Sequence, residues 1–326
     1  MSSRPLVYLH RLEWVPAEWY MDDNAHALLD SFADVRDDSA YPAPLSPAEL
    51  VERMSGATAI LSLNGSHAEE ITTAVLQEVG TVKVAAVSHW WGASAENAGK
   101  AWSAAGVHVI DASDACNQSV AEWALGAMIA GLRKFDYYDR EMKHGALFPT
   151  WRGMAGQLNG STVGLVGVGR VGRWVVRYLQ PFDVRVLVYD PFMSAETAAS
   201  LQVELVDLPT LLSTADAISL HAPVIPETHG MLGAAELAMI RDGALLINCA
   251  RAWLYDSDAL KSELQSGRFR AYLDVFEPEP PALDDVLRTL DNVVLTPHIA
   301  GTTDLMFHRC AQMAITAIRD YLRQAK

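Results

Sequence analysis

The sequence predicts an α/β protein of two doubly wound parallel-sheet domains. Short apolar runs alternate with helix-like segments over residues 1–110, and the same rhythm restarts at STVGLVG, residues 161–167. The length points the same way, because 326 residues exceed what one hydrophobic core usually holds.

The first series of strands is LVYLH, TAILSL, VKVAAVS and VHVI, with candidate helices around residues 16–32, 46–54, 68–79 and 95–104. Near-continuous apolar runs of this length suit strands buried on both faces. The segment SVAEWALGAMIAGLRKFDYYDREMKHG then reads as one long helix, opened by Ser119 and Glu122 in capping-box spacing and free of proline until Pro149. After STVGLVG come VRVLVY, VELV, AISLHAP, ALLINCA, RAYLDVF and NVVLTP, each separated by a helical or turn-forming stretch. The tail TTDLMFHRCAQMAITAIRDYLRQAK has helical apolar spacing; if it returns to the first unit, that domain is discontinuous.

Half of the residues are hydrophobic, a fifth are charged, and the formal net charge is −15. Such a chain repels polyanions, so neither nucleic acid nor an anionic membrane is expected as a partner. The N-terminus lacks a continuous apolar stretch, and nothing approaches the roughly 18 apolar residues of a membrane span; a cytoplasmic protein is expected. Cys116, Cys249 and Cys310 lack the paired spacing of a zinc site or a disulfide framework and read as three reduced thiols, with no metal expected.

In GLVGVGRVGRW, Gly167, Gly169 and Gly172 stand between a strand and a helix. The first glycine permits the tight turn, the second lets backbone approach a pyrophosphate, and the third allows close packing of helix on strand. The helix N-terminus adds free amides and a positive dipole end. The next strand ends at Asp190, 190 − 172 = 18 residues after the last glycine. An acid there accepts from both ribose hydroxyls and repels a 2′-phosphate, which favours NAD over NADP; a helix cap before Pro191 is the alternative. Arg170 and Val171 lie inside the loop, with Arg170 either a pyrophosphate contact or a solvated arginine.

Three later strands end in LLINCARAW, AYLDVFEPEP and VVLTPHIAGTT and present Arg251, then Glu277 and Glu279, then His298. Taken singly, the simpler reading is the better one: Arg251 a surface charge, Glu279 a solvated loop acid and His298 a satisfied turn histidine. Behind a dinucleotide fingerprint they form the set needed for hydride transfer to a carbonyl: an acid for the nascent alkoxide, a carboxylate to support that acid, and a cation to anchor an anionic substrate.

With these stretches, together with VAEWALGAMIAGLRK and HAPVIPETHGML, the chain resembles the D-isomer-specific 2-hydroxyacid dehydrogenases over nearly its whole length. The resemblance implies a Rossmann NAD-binding domain, residues 117–297, inserted into a flavodoxin-like substrate domain, residues 1–116 and 298–326. It implies a 2-oxo or 2-hydroxy acid as the small-molecule substrate and a homodimer. Carried over, Arg251 matches the arginine that holds the substrate carboxylate, His298 the acid/base, and Glu279, rather than Glu277, its catalytic partner. Asp274 matches a residue near the nicotinamide carboxamide; Pro223, Thr228, Cys249 and Gly301 fall where the family contacts the cofactor. Trp151 also fits the family pattern.

Two departures stand out. Where the family usually has a glycine-rich carboxylate-binding loop, this chain reads SHWWGAS, with His89, Trp90 and Trp91 at the substrate position. The tryptophans fill the pocket, stack on a larger substrate, or pack between domains. After Arg251 the family usually has glycine and a small residue; here Ala252 and Trp253 follow, then Tyr255 and Asp256. In SLNGS, Asn64 or Ser66 is placed to bond a substrate hydroxyl, although turn chemistry also explains Asn-Gly. The sequence leaves two other readings open: an NAD(H)-binding sensor of the corepressor type, and a dehydrogenase of an atypical substrate such as phosphite.

Overall fold

The computed structural model describes residues 4–11, 16–37, 45–63, 65, 67–88, 92–145 and 154–324. The chain divides into two compact units, residues 1–116 with 302–326, and residues 117–301. By this division His298 belongs to the second unit, which runs to 301 rather than 297.

The first unit is built on strands β1 (Leu6–His10), β2 (Asp34–Arg36), β3 (Ala59–Ser62), β4 (Val84–Val87) and β5 (His108–Asp111). All pair in parallel in the order β2-β1-β3-β4-β5, the flavodoxin-like order. Alternation along the strands feeds two cores. Val7, Leu9, Ala59, Leu61, Val84 and Ala86 face helix Asp23–Asp30 and the C-terminal helix Asp304–Gln324. Tyr8, Ile60, Ala85 and Val87 face Leu50, Met54, Val75, Leu76 and Trp102 on the other side. The C-terminal helix contributes Ala311, Ala314, Ile315 and Ile318, one stripe at helical spacing. Burying each large aliphatic side chain of this kind contributes about 1.5–3 kcal/mol, which fixes the tail to the first sheet.

The second unit carries β6 (Thr162–Val166), β7 (Arg185–Tyr189), β8 (Glu204–Leu205), β9 (Ala217–Leu220), β10 (Leu245–Asn248), β11 (Arg270–Leu273) and β12 (Val293–Leu295). Its parallel sheet runs β12-β11-β10-β9-β6-β7-β8, a Rossmann order with one further strand. The chain reverses direction across the sheet between β6 and β9, so the ends of those two strands border the crevice where such sheets bind ligands.

Three expectations are corrected. The long helix is two, Cys116–Leu132 and Phe135–Lys143, because Lys134 takes a left-handed conformation (φ 54°). The carbonyl of Leu132 accepts instead from the Gly156 amide at 3.0 Å. The turn brings Asp136 to Arg270 Nη2 at 2.6 Å and to Tyr272 Oη at 3.0 Å. The first of these helices begins at Cys116, after a 3-10 turn at Ser113–Ala115, so Ser119 and Glu122 lie in its body and form no capping box. The segment 16–32 is likewise two helices, Ala17–Tyr20 and Asp23–Asp30, separated where Asp22 caps the second by accepting from the Ala25 amide at 2.8 Å. Strand β2, not foreseen, has only three residues and a single apolar one.

Candidate active site

The glycine loop follows β6. Gly167 has φ +85°, and a Cβ there would meet the backbone of Ala222 at 2.8 Å, so glycine is required where the ends of β6 and β9 approach. A Cβ at Gly172 would meet the Gly167 carbonyl at 2.8 Å. Gly169 differs, since nothing lies within 4 Å of its Cβ position. It precedes helix Arg170–Leu179 and supplies no side-chain cap, which leaves open space in front of the first helical amides. Arg170 is exposed there and Val171 is half-buried.

Asp190 holds this loop from the end of β7. Its Oδ2 accepts from the Val168 amide at 2.9 Å and its Oδ1 from the Phe192 amide at 3.0 Å. Each carboxylate oxygen has a further lone pair for a ribose hydroxyl. After β9, Thr228 closes a turn by donating to the Pro223 carbonyl at 2.5 Å while accepting from the Ile225 amide at 2.9 Å. Cys249, after β10, is buried, and burial together with the charge of Asp274 pushes its thiol up to about 12. Its side chain packs in the core of the second unit.

Arg251, Glu279 and His298 follow β10, β11 and β12, three adjacent parallel strands, and so share one edge of the sheet. The Oε2 of Glu279 lies 2.8 Å from His298 Nδ1, and its Oε1 accepts from the Phe276 amide at 2.8 Å. The carboxylate is thus fixed at one end by backbone and meets imidazole at the other. Among the described residues Glu279, not Glu277, holds the histidine. His298 has φ 54°, a left-handed conformation that costs free energy for a non-glycine residue. The guanidinium of Arg251 is exposed; its Nη1 donates to the Ala250 carbonyl at 2.7 Å.

Asp274 fixes the histidine loop. Fully buried, it accepts from Thr296 Oγ1 at 2.5 Å and the Ile299 amide at 2.9 Å on Oδ1, and from the Ala300 amide at 2.8 Å on Oδ2. These three bonds bracket His298 and stop just before Gly301. Asn248 does the same for the arginine: Nδ2 donates to the Arg251 carbonyl at 2.9 Å, and Oδ1 accepts from the Ala250 amide at 2.9 Å. Sequence reasoning missed Asn248 and Thr296; the available signal was a polar residue at the carboxyl end of an apolar strand, the last of β10 and the first after β12. Asp256 is a plain helix cap that accepts from the Ala259 amide at 2.9 Å. Trp253 is exposed.

In the first unit, the carboxyl ends of β1 and β3 bring His10 Nδ1 to Ser62 Oγ at 3.0 Å, and Ser62 Oγ accepts from the Gly65 amide at 3.2 Å. Burial, aided by the charge of His67, pushes His10 down to about 4. Neither residue was expected from the sequence. The expected substrate residues Asn64, His89, Trp90 and Trp91, with Ser66 and Trp151, lie outside the described residues.

The second unit thus assembles a glycine turn with open space before the first amides of a helix, a carboxylate beside it, and a histidine held by a second carboxylate. Residues 125–300, more than half the chain, match the family model of the D-isomer specific 2-hydroxyacid dehydrogenase NAD binding domain. The chain belongs to that family, and its second unit is the family's NAD-binding domain. A D-3-phosphoglycerate dehydrogenase of Methanocaldococcus jannaschii is 34% identical over 282 residues, which is 86% of this chain and 52% of the relative. A hydroxypyruvate reductase of Thermotoga maritima is 38% identical over 61% of this chain and 64% of its own length. The chain spans about half the length of the first of these curated relatives. Among solved structures, the TT0316 protein of Thermus thermophilus matches with a TM-score of 0.77 and 27% identity, covering 98% of this chain and 97% of that one. No helix among the described residues is long and apolar enough to cross a membrane.

Proposed function

We propose that this chain is an NAD-dependent oxidoreductase interconverting a 2-oxo acid and a D-2-hydroxy acid. The observation that carries the reading is the contact of His298 Nδ1 with Glu279 at 2.8 Å, on the sheet edge shared with the glycine cradle. Gly167, Gly169, Arg170, Val171 and Gly172 would hold the pyrophosphate, Asp190 the adenosine ribose, and Pro223, Thr228, Cys249, Asp274 and Gly301 the nicotinamide half. When bound, NADH supplies the hydride for the carbonyl carbon. Arg251, as a permanent cation with several N–H donors, anchors the substrate carboxylate and draws electron density from the neighbouring carbonyl. With Nδ1 turned to Glu279, the proton that His298 gives to the carbonyl oxygen comes from Nε2. The Glu279 carboxylate stabilises the imidazolium before transfer and holds the ring in place afterwards.

The two curated relatives described above are named for 3-phosphoglycerate and for hydroxypyruvate, which supports a compact substrate. A homodimer in the cytoplasm completes the reading; light scattering on purified protein tests the assembly. The chemistry is tested by His298→Gln. It is expected to keep NADH affinity, measured by fluorescence, and to lose about 10²- to 10⁴-fold in turnover, the usual contribution of a positioned general acid. Turnover equal to that of the parent protein would remove His298 from the mechanism.

A further inference from the structure

Two of the three cysteines, 194 positions apart in sequence, meet in the first unit: Cys116 Sγ lies 3.7 Å from Cys310 Sγ. That is contact between thiols, and a bond requires the sulfurs to close to about 2.0 Å. Cys116 is the first residue of helix Cys116–Leu132, and Cys310 sits on the C-terminal helix with its side chain fully buried. Cys310 Sγ also lies 3.4 Å from the Met306 sulfur, and the Asp111 carboxylate is close enough for its charge to act on the Cys310 thiol. We propose that Cys116 and Cys310 are a site of reversible oxidation, forming an intramolecular disulfide when a peroxide reaches Cys116.

The roles of the two thiols differ. Cys116 is half-exposed and stands at a helix N-terminus, where the dipole favours thiolate. Cys310 is held above the ordinary thiol range by its hydrogen bond with Cys116 and by burial. Cys116 is therefore the attacking sulfur and Cys310 the resolving one. The Cys116 thiolate takes one oxygen from hydrogen peroxide, giving a sulfenic acid and, with one proton, water. The Cys310 sulfur then attacks the Cys116 sulfur: the S–S bond forms, the S–O bond breaks, and the leaving hydroxide departs as water with the Cys310 proton. Overall, two thiols are oxidised and one peroxide is reduced to two waters; a dithiol reverses the change by exchange. The bond would close a covalent ring through residues 117–309, the whole second unit included. By restricting the unfolded chain, it should raise thermal stability.

The test uses the full chain, reduced, then exposed to stoichiometric hydrogen peroxide under native conditions. Thiols titrated after denaturation should fall from three to one, and a tryptic digest should join the Cys116 peptide to the Cys310 peptide. The melting temperature should rise, and dithiothreitol should restore three thiols. Cys116→Ser and Cys310→Ser should each abolish both the joined peptide and the rise in melting temperature. Peptide mapping of the parent protein decides the matter even if a variant folds poorly. Three surviving thiols, a sulfinic acid on Cys116 with Cys310 still alkylatable, or a bond between chains would each overturn the proposal.

Discussion

Asp190 serves two neighbours at once, its two oxygens accepting from the Val168 and Phe192 amides, and the proposed function gives the same carboxylate a ribose to hold. Hydrogen bonds to a charged acceptor contribute about 1.5–3 kcal/mol, and 1.4 kcal/mol is about tenfold. Asp190→Ala should therefore narrow the preference for NADH over NADPH, measured as the ratio of kcat/KM values, by at least about tenfold. An unchanged ratio would leave Asp190 a loop fastener only. The strand, glycine turn and helix around this acid were legible because each leaves its own pattern in the sequence. The clamp on His298 was not. Two of the three donors to Asp274 are backbone amides, 25 and 26 residues downstream, and amides leave no mark in a sequence. The left-handed backbone of His298 was equally invisible, since that conformation is imposed by its neighbours.

At the level of elements, apolar rhythm located eleven of the twelve strands found among the described residues, because a strand buried on both faces reads as an unbroken apolar run. It failed where the backbone bends without glycine or proline. Lys134 breaks the long helix through its own left-handed conformation, a state costing an L-residue about 1–2 kcal/mol. Lys134→Gly should therefore leave the protein as stable or raise stability by up to about 1 kcal/mol, read from urea denaturation. In a continuous helix the same change would cost about 1 kcal/mol, so the sign of the effect reports whether the break is real. The break also delivers Asp136 to Arg270 and Tyr272, an arrangement that sequence spacing alone could not show.

For the whole molecule, the two-unit plan follows from the restart of the rhythm at residue 161 and from the apolar stripe of the tail, which the first core takes up. Stability should carry a signature of the first sheet. His10 ionises near its ordinary value of 6.5 when unfolded but near 4 when folded. Below the higher value the unfolded state takes up the proton first, so stability present above pH 6.5 is lost as pH falls toward 4, with a slope of at most about 1.4 kcal/mol per pH unit from this one residue. His10→Asn should flatten that part of the denaturation profile; an identical slope would deny the buried neutral histidine. The central claim is that the assembled site reduces 2-oxo acids with NADH. The most direct measurement is NADH oxidation, followed by absorbance, against acids from glyoxylate and hydroxypyruvate to branched and aromatic ones. The account predicts turnover concentrated in one size class with a D-hydroxy acid product. NADH binding without turnover of any 2-oxo acid would contradict it and turn the site into that of a sensor or of an enzyme for a non-carboxylate substrate.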